Sequence, residues 1–214
     1  CDNLPKGEQG MTAIKTWDDF HEAGKVVLEK TGKPLVTVVA VGSSLRVDEG
    51  NAQLLAWYPG QAGGTALAEI LFGEVNPSAK LPITFPRSVG QLPLYYAAKP
   101  SGRGHGYVEN DGSPLYPFGY GLSYTTFEMG EITHTLEDNN LTVTLPVTNT
   151  GAMDGAEVVQ VYLTGTNCDV VMPCLELKAY RRAEVKAGET ATVTLTVPSE
   201  AFCYYDRKMT LGMH

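Results

Sequence analysis

The chain has 214 residues, 43% of them hydrophobic, and carries a formal net charge of −8 at pH 7. Its length allows one large or two small domains, and its apolar content can bury a core, which excludes a disordered chain. The acidic balance argues against nucleic acid and against an anionic membrane surface, since no basic stripe surrounds the Arg181-Arg182 pair; no apolar run approaches the ~20 residues that a transmembrane helix needs.

The chain begins at Cys1 with neither a Met nor a signal-like segment, which reads as a processed or cut start. Thr16 and Asp19 then frame a capping box. The helix it opens runs to about Lys30, with Phe20, Ala23 and Val27, and Val26 beside them, on one side. Thr31-Gly32-Lys33-Pro34 stops it. Residues 34–42, PLVTVVAVG, are almost continuously β-branched and apolar, as expected of a strand covered on both faces in a parallel sheet. QLLAWY, 53–58, reads as a second buried strand, broken by Pro59-Gly60. Gly64 and Thr65 open a second helix, whose Leu67, Ile70 and Leu71 form an apolar stripe ending at Gly73. NPSAKLPITFP, 76–86, is expected to supply a turn and a short strand. The first half therefore reads as α/β, with helices on a mostly parallel sheet.

Residues 86–124 are rich in Gly, Pro and Tyr and show no periodicity, so they read as an irregular connecting segment. Its last part runs into PLYPFGYGLSYTTF, 114–127, which is too aromatic for an ordinary loop and too rich in Gly and Pro for a helix or a central strand. The expectation is that most of Tyr116, Phe118, Tyr120, Tyr124 and Phe127 are buried where an α/β layer meets a β-sandwich.

From about 125 the period changes. Leu141, Val143, Leu145 and Val147 alternate with Thr142, Thr144 and Thr148; Ala191, Val193, Leu195 and Val197 alternate with Thr192, Thr194 and Thr196. Such alternation predicts half-buried antiparallel strands. EVVQVYLTG and LELKAYRRAEV add two more, and Ala187-Gly188-Glu189 a turn. About six short strands at regular spacing suggest a sandwich of fibronectin type III kind, with AFCYYDRKMTLGMH stopping where one more strand should follow.

Chemistry-bearing residues are sparse. Cys1, Cys168, Cys174 and Cys203 form no CxxC and no paired His spacing accompanies them, so zinc is disfavoured and no metal or cofactor is called for. Cys168 and Cys174 flank a short loop that suits either a small disulfide or two free thiols. Asp48 and Glu49 before Gly50 read as a solvated turn; His105, near Arg103, lies in a glycine-rich loop that suits either solvent or a ligand. His21, His134 and His214 are scattered, and Asp206 is expected to cap a turn. GxSxG, GxxxxGK[ST] and HExxH are absent. Asn140-Leu141-Thr142 is a glycosylation acceptor pattern.

Four stretches together resemble the C-terminal part of glycoside hydrolase family 3, the β-glucosidases, β-xylosidases and β-N-acetylglucosaminidases. AWYPGQAGGTALAEILFGEVNPSAKLPITFPRS, 56–88, matches the family pattern nearly residue for residue. QLPLYYAAKPSGR, 91–103, and PLYPFGYGLSYTTF follow it in order, and VQVYLTG, ELKAYRRAEVKAGET and FCYYD match the fibronectin-like domain of larger members. The resemblance implies part of an α/β sandwich domain over 1–124, a fibronectin type III-like sandwich over 125–214, and a (β/α)8 barrel elsewhere in the protein. It also implies a retaining exo-acting β-glycosidase, with an Asp nucleophile on the barrel and an acid/base Glu on an α/β loop. The partners implied are a β-linked oligosaccharide or glycoside and the barrel; a homo-oligomer is compatible with the sequence. Family context favours a periplasmic or extracellular setting.

Glu8, in Gly7-Glu8-Gln9-Gly10, stands near the place of the family's acid/base, although the spacing to Gly32 is shorter than usual and the expected Asp-Arg after the motif is absent. A glycosidic acid must be neutral before it acts, so its pKa must be raised by burial or by the nucleophile. Without the barrel a loop glutamate faces water and titrates near the ordinary ~4.3, so the chain alone is expected to be inactive. A non-catalytic carbohydrate-binding or structural module is the alternative reading. Sugar and linkage specificity are not legible, and no substrate-binding residue is assigned.

Overall fold

The computed structural model describes residues 17–31, 37–40, 53–100, 112–165 and 168–213. The chain divides into two compact units, Cys1–Val75 and Asn76–His214.

In the first unit, α1 (Trp17–Thr31), β1 (Thr37–Ala40), β2 (Gln53–Trp57) and α2 (Gly63–Leu71) follow one another. β1 and β2 pair in parallel, Val38 opposite Leu54 and Val39 opposite Leu55, with a register shift that sets Ala40 opposite Trp57. The parallel pairing agrees with the apolar, β-branched runs that predicted it. Among the described side chains of α1 Ala23 is buried, and the exposed ones include a Lys25–Glu22 pair at 2.7 Å. The capping-box residue Thr16 lies outside the described residues. α2 begins one residue earlier than expected, at Gly63. A Cβ there would come within 2.7 Å of the Pro59 ring, so the Pro-Gly turn closes onto the helix start only because that position is bare. The helix stops as the sequence indicates: Gly73 adopts φ +78° and its N–H returns to Ile70 O at 3.1 Å.

The second unit opens with a long irregular stretch. The short strand expected within 76–86 is not formed; Phe85 makes a single antiparallel bridge with Tyr116. The prolines at 77, 82 and 86 explain this, since each removes a ladder donor.

From Phe127 onward the described residues form eight strands: β3 (Phe127–Met129), β4 (Thr133–Glu137), β5 (Asn140–Asn149), β6 (Gly155–Leu163), β7 (Glu176–Val185), β8 (Thr190–Val197), β9 (Cys203–Tyr205) and β10 (Leu211–Met213). β3 and β4 pair along one edge of β5, and β8 along the other. β6 and β7 form a second antiparallel layer. The core lies between these layers: Leu145 and Val147 of β5 and Val193 and Leu195 of β8 meet Val159 of β6 and Val185 of β7. The threonines alternating with them face outward and bond across strands, Thr144 to Thr194 at 3.0 Å and Thr148 to Thr190 at 2.8 Å. Asp138 and Asn139 both take positive φ, 49° and 61°, making the two-residue hairpin turn that joins β4 to β5. The C-terminal stretch, expected to break off before a further strand, folds into the β9–β10 hairpin.

Candidate functional site

The side chains of the NPSAK stretch, 76–80, act as fasteners. Asn76 Nδ2 donates to Asp154 O at 3.0 Å, while its Oδ1 accepts from Ser123 Oγ at 2.8 Å and from the Tyr124 N–H at 2.9 Å. Ser78 Oγ accepts from Arg182 Nε of β7 at 3.0 Å. Lys80 donates to Gly121 O at 2.9 Å and pairs with Glu157 of β6 at 2.8 Å, the two side chains only 15% and 14% exposed. Leu81 and Tyr120 add a backbone bond of 2.8 Å. Residues 76–85 are thus held against both 115–124 and the β6–β7 layer.

A second set of bonds fixes the segment that follows. The buried Gln91 amide donates to Ser113 O at 3.1 Å and accepts from the Arg87 N–H, and Arg87 Nε donates to the same carbonyl at 3.2 Å. At the entry to the sandwich, fully buried Asn149 accepts from Thr125 Oγ1 at 2.6 Å and from the Gly151 N–H at 3.1 Å. It donates to Met153 O at 2.8 Å and to Val185 O at 3.0 Å. Every polar atom of that amide is used, which lets it sit in an apolar core without penalty.

These fasteners shape a cavity of about 640 Å³ between residues 84–96, 112–120, Gln160, Tyr162 and Leu175. Its aromatic wall is built of packed pairs. Tyr96 stacks on Phe118 with centroids 4.0 Å apart, and Tyr162 meets both edge-on at 6.5 Å. Tyr120, another lining residue, stacks on Tyr116 at 5.3 Å. Gly119 takes φ +80° beside them, and a Cβ there would overlap Gln160 Oε1 and Tyr162 Oη. Only a glycine lets the loop approach closely enough for Gln160 Nε2 to donate to Gly119 O at 3.1 Å, with Tyr162 Oη donating to Gln160 Oε1 at 2.6 Å. Burial raises the Tyr162 pKa above the ordinary tyrosine value, and the neighbouring Tyr96 phenol adds to this. Burial also raises that of Tyr124.

The burial expected for 114–127 is therefore corrected. Tyr116, Phe118 and Phe127 are half-buried, and Tyr120 and Tyr124 stay 38% and 40% exposed. The rings pack on one another and around an open cavity, so few of them are sealed. Gln160 and Tyr162 were read only as part of a strand. They alternate on β6 with the core-facing Val159 and Val161, and nothing in the sequence placed them opposite Gly119.

Of the residues singled out for chemistry, Glu8, Asp48, Glu49, Arg103 and His105 lie outside the described residues. His134 is exposed on β4, opposite Val143. Asp206 caps a turn as expected, its Oδ1 accepting from the Lys208 and Thr210 N–H groups, both at 2.8 Å. Cys168 and Cys174 are not joined in a disulfide, and Cys174 and Cys203 are free thiols. The acceptor pattern at Asn140 begins β5, and its Oδ1 accepts from the Ser199 N–H at 2.9 Å. Among the described residues no three His, Cys, Asp or Glu side chains are grouped to hold a metal ion, and no helix is long and apolar enough to cross a membrane.

Comparison with known proteins bears on the whole chain. The family model of the glycosyl hydrolase family 3 C-terminal domain matches residues 12–124, and that of a fibronectin type III-like domain matches 157–211. A periplasmic beta-glucosidase of Salmonella typhimurium is 40% identical over 200 residues, covering 85% of this chain and 26% of that protein. A xylan 1,4-beta-xylosidase of Xylanibacter ruminicola is 40% identical over 185 residues, covering 84% of this chain and 21% of its own length. Among solved structures, the beta-glucosidase from Listeria innocua in complex with glucose is 33% identical, with a TM-score of 0.76 over 94% of this chain and 30% of that one. The chain thus spans about a quarter of the length of the curated relatives it matches.

Proposed function

This chain belongs to glycosyl hydrolase family 3, and on that premise we propose that it is the C-terminal portion of a retaining, exo-acting β-glycosidase. The enzyme removes terminal β-linked sugars from oligosaccharides, with β-glucosides the favoured substrates. The observation that carries the reading is that the family's C-terminal domain, matched over 12–124, is followed in the same chain by a fibronectin-like domain, matched over 157–211. In this proposal residues 1–124 form part of an α/β sandwich domain, with 86–124 as its irregular exit, and residues 125–214 form the fibronectin-like module. The chemistry depends on a (β/α)8 barrel that supplies the Asp nucleophile.

The residues of this chain have two tasks in that scheme. One is scaffolding: the NPSAK fasteners and the Asn149 hub hold the polypeptide in a fixed path, so that loops at a barrel mouth keep their positions. The other is the acid/base role, for which Glu8 is the candidate. Covered by the barrel, its carboxyl would be kept protonated by desolvation and by the nucleophile's charge, ready to protonate the leaving oxygen.

The full-length protein tests the proposal directly. Hydrolysis of an aryl β-glucoside with net retention at the anomeric carbon, followed by proton NMR, is expected; failure to hydrolyse β-glucosides, β-xylosides and β-N-acetylglucosaminides alike would leave a non-catalytic module. Glu8→Gln should sharply reduce turnover of substrates with poor leaving groups and cost much less with an activated aryl group, which needs little acid assistance. Equal losses on both, or none on either, would remove Glu8 from that role.

A further inference from the structure

The aromatic cavity of the second unit is unlike a catalytic centre and unlike a plain packing defect. Among the described residues its lining carries no Asp, Glu, Lys, Arg or His, and the Arg87 guanidinium behind it is turned to the Ser113 carbonyl and hydroxyl. That disfavours phosphates, nucleotides, amines and carboxylates. The lining is not purely apolar either. Thr84 and Ser113 contribute hydroxyls, the tyrosines contribute phenols, and Gln160 an amide. Tyr162 Oη donates to Gln160 and retains the capacity to accept, while the Gln160 amide bonded to Gly119 O retains a second N–H.

Flat apolar rings combined with neutral hydroxyls and an amide match one common ligand chemistry. A pyranose has an apolar C–H face that lies on an aromatic ring and a rim of hydroxyls that both donate and accept. Two rings are placed to act as platforms. Tyr120 lines the cavity, is 38% exposed, and is stacked on Tyr116, which fixes its plane. Tyr95, also a lining residue, is 69% exposed. The volume, about 640 Å³, falls within the range of ligand pockets and suits a disaccharide better than a longer chain.

We propose that this cavity is an accessory sugar site, which takes a neutral mono- or disaccharide on Tyr95 and Tyr120 and reads its hydroxyls with Gln160 and Tyr162. The inference rests on the β-glycosidase reading for the choice of sugar, and it deepens that reading. It places a second point of contact with the substrate class on this chain, apart from the barrel's chemistry.

The test is ligand binding by the 214-residue chain itself, followed by saturation-transfer NMR and titration calorimetry with cellobiose and with xylobiose. Binding of at least one disaccharide is expected, with saturation passing from aromatic protons. The double variant Tyr95→Ala/Tyr120→Ala should weaken it at least tenfold. Tyr162→Phe, which keeps the ring and removes one hydroxyl, should weaken it several-fold in a chain that still gives a dispersed, folded NMR spectrum. If the double variant does not fold, Tyr162→Phe alone decides. Absence of binding by both sugars overturns the proposal, as do affinities that neither variant changes. It is equally overturned if cyclohexanol binds and neither disaccharide does, since the cavity would then be merely apolar. Hydrolysis by the full-length enzyme is a separate readout: loss of that activity reading with sugar binding intact leaves this site standing, and the converse leaves the glycosidase standing without it.

Discussion

Residues 76–125 and the sandwich strands β5–β8 are specified by opposite means. The sandwich is held by a dry core in which Val147 is 0% exposed and its neighbours on β6, β7 and β8 are nearly so. Its order follows from an alternation repeated strand after strand. Among its described residues the preceding segment has almost no ladder, a single bridge at Phe85, and owes its course to side chains bonded to distant backbone: Asn76 to Tyr124, Lys80 to Gly121, Gln91 to Ser113. Apolar burial is forgiving of the partner's identity, because any side chain of about the right volume will do. A hydrogen bond to one carbonyl is not.

The contrast can be broken or sharpened experimentally. The largest effect is expected in the core: Leu145→Ala should lower global stability by about 2–5 kcal/mol, read from denaturant midpoints. A loss below ~1 kcal/mol would mean that the sandwich does not depend on this cluster. Asn76→Ala should cost less, on the order of 1–3 kcal/mol, since it leaves Asp154 O and the Tyr124 N–H without their partner. Its signature should be local, with faster amide exchange at Tyr124 and Thr125 and little change in β8. Uniform acceleration across the sandwich would show that the fastener and the core are one cooperative element.

The smallest effect concerns pH. The Tyr162 and Tyr124 phenols have pKa values raised above 10.0 by burial, so at high pH the folded chain retains protons that the unfolded chain has released. Their stabilising contribution is full below pH 10.0 and is lost as pH rises through the folded-state values. Denaturant midpoints measured from pH 9 to 11 should therefore fall (a range set around the ordinary value of ~10), and Tyr162→Phe should flatten that fall. An identical slope in the variant would place Tyr162 outside the titration.

Much was legible in the sequence. The helix over 17–31 and the stop at Gly73 follow from local periodicity and from one residue that tolerates positive φ. The inward faces of β5 and β8 follow from the pleat, which sends successive side chains to opposite sides whatever the surroundings. The family, too, was written in residues 56–127. The candidate site was not, because its parts come from 84–96, 112–120, β6 and Leu175, and no periodicity links them. Where the sequence expected sealed aromatics at 114–127, their fate depended on what stood opposite. Tyr96 and Tyr162 completed an open cavity instead of a closed core.

Local chemistry thus determined by itself where the chain turns, which faces are apolar and to which family the chain belongs, since these depend on a residue and its near neighbours. Only the tertiary structure decided that Asn76, Lys80 and Asn149 are fasteners and that Gly119 must be bare against Gln160. Those roles exist only between groups about 25 to 80 residues apart, at distances that a hydrogen bond tolerates to within a few tenths of an ångström.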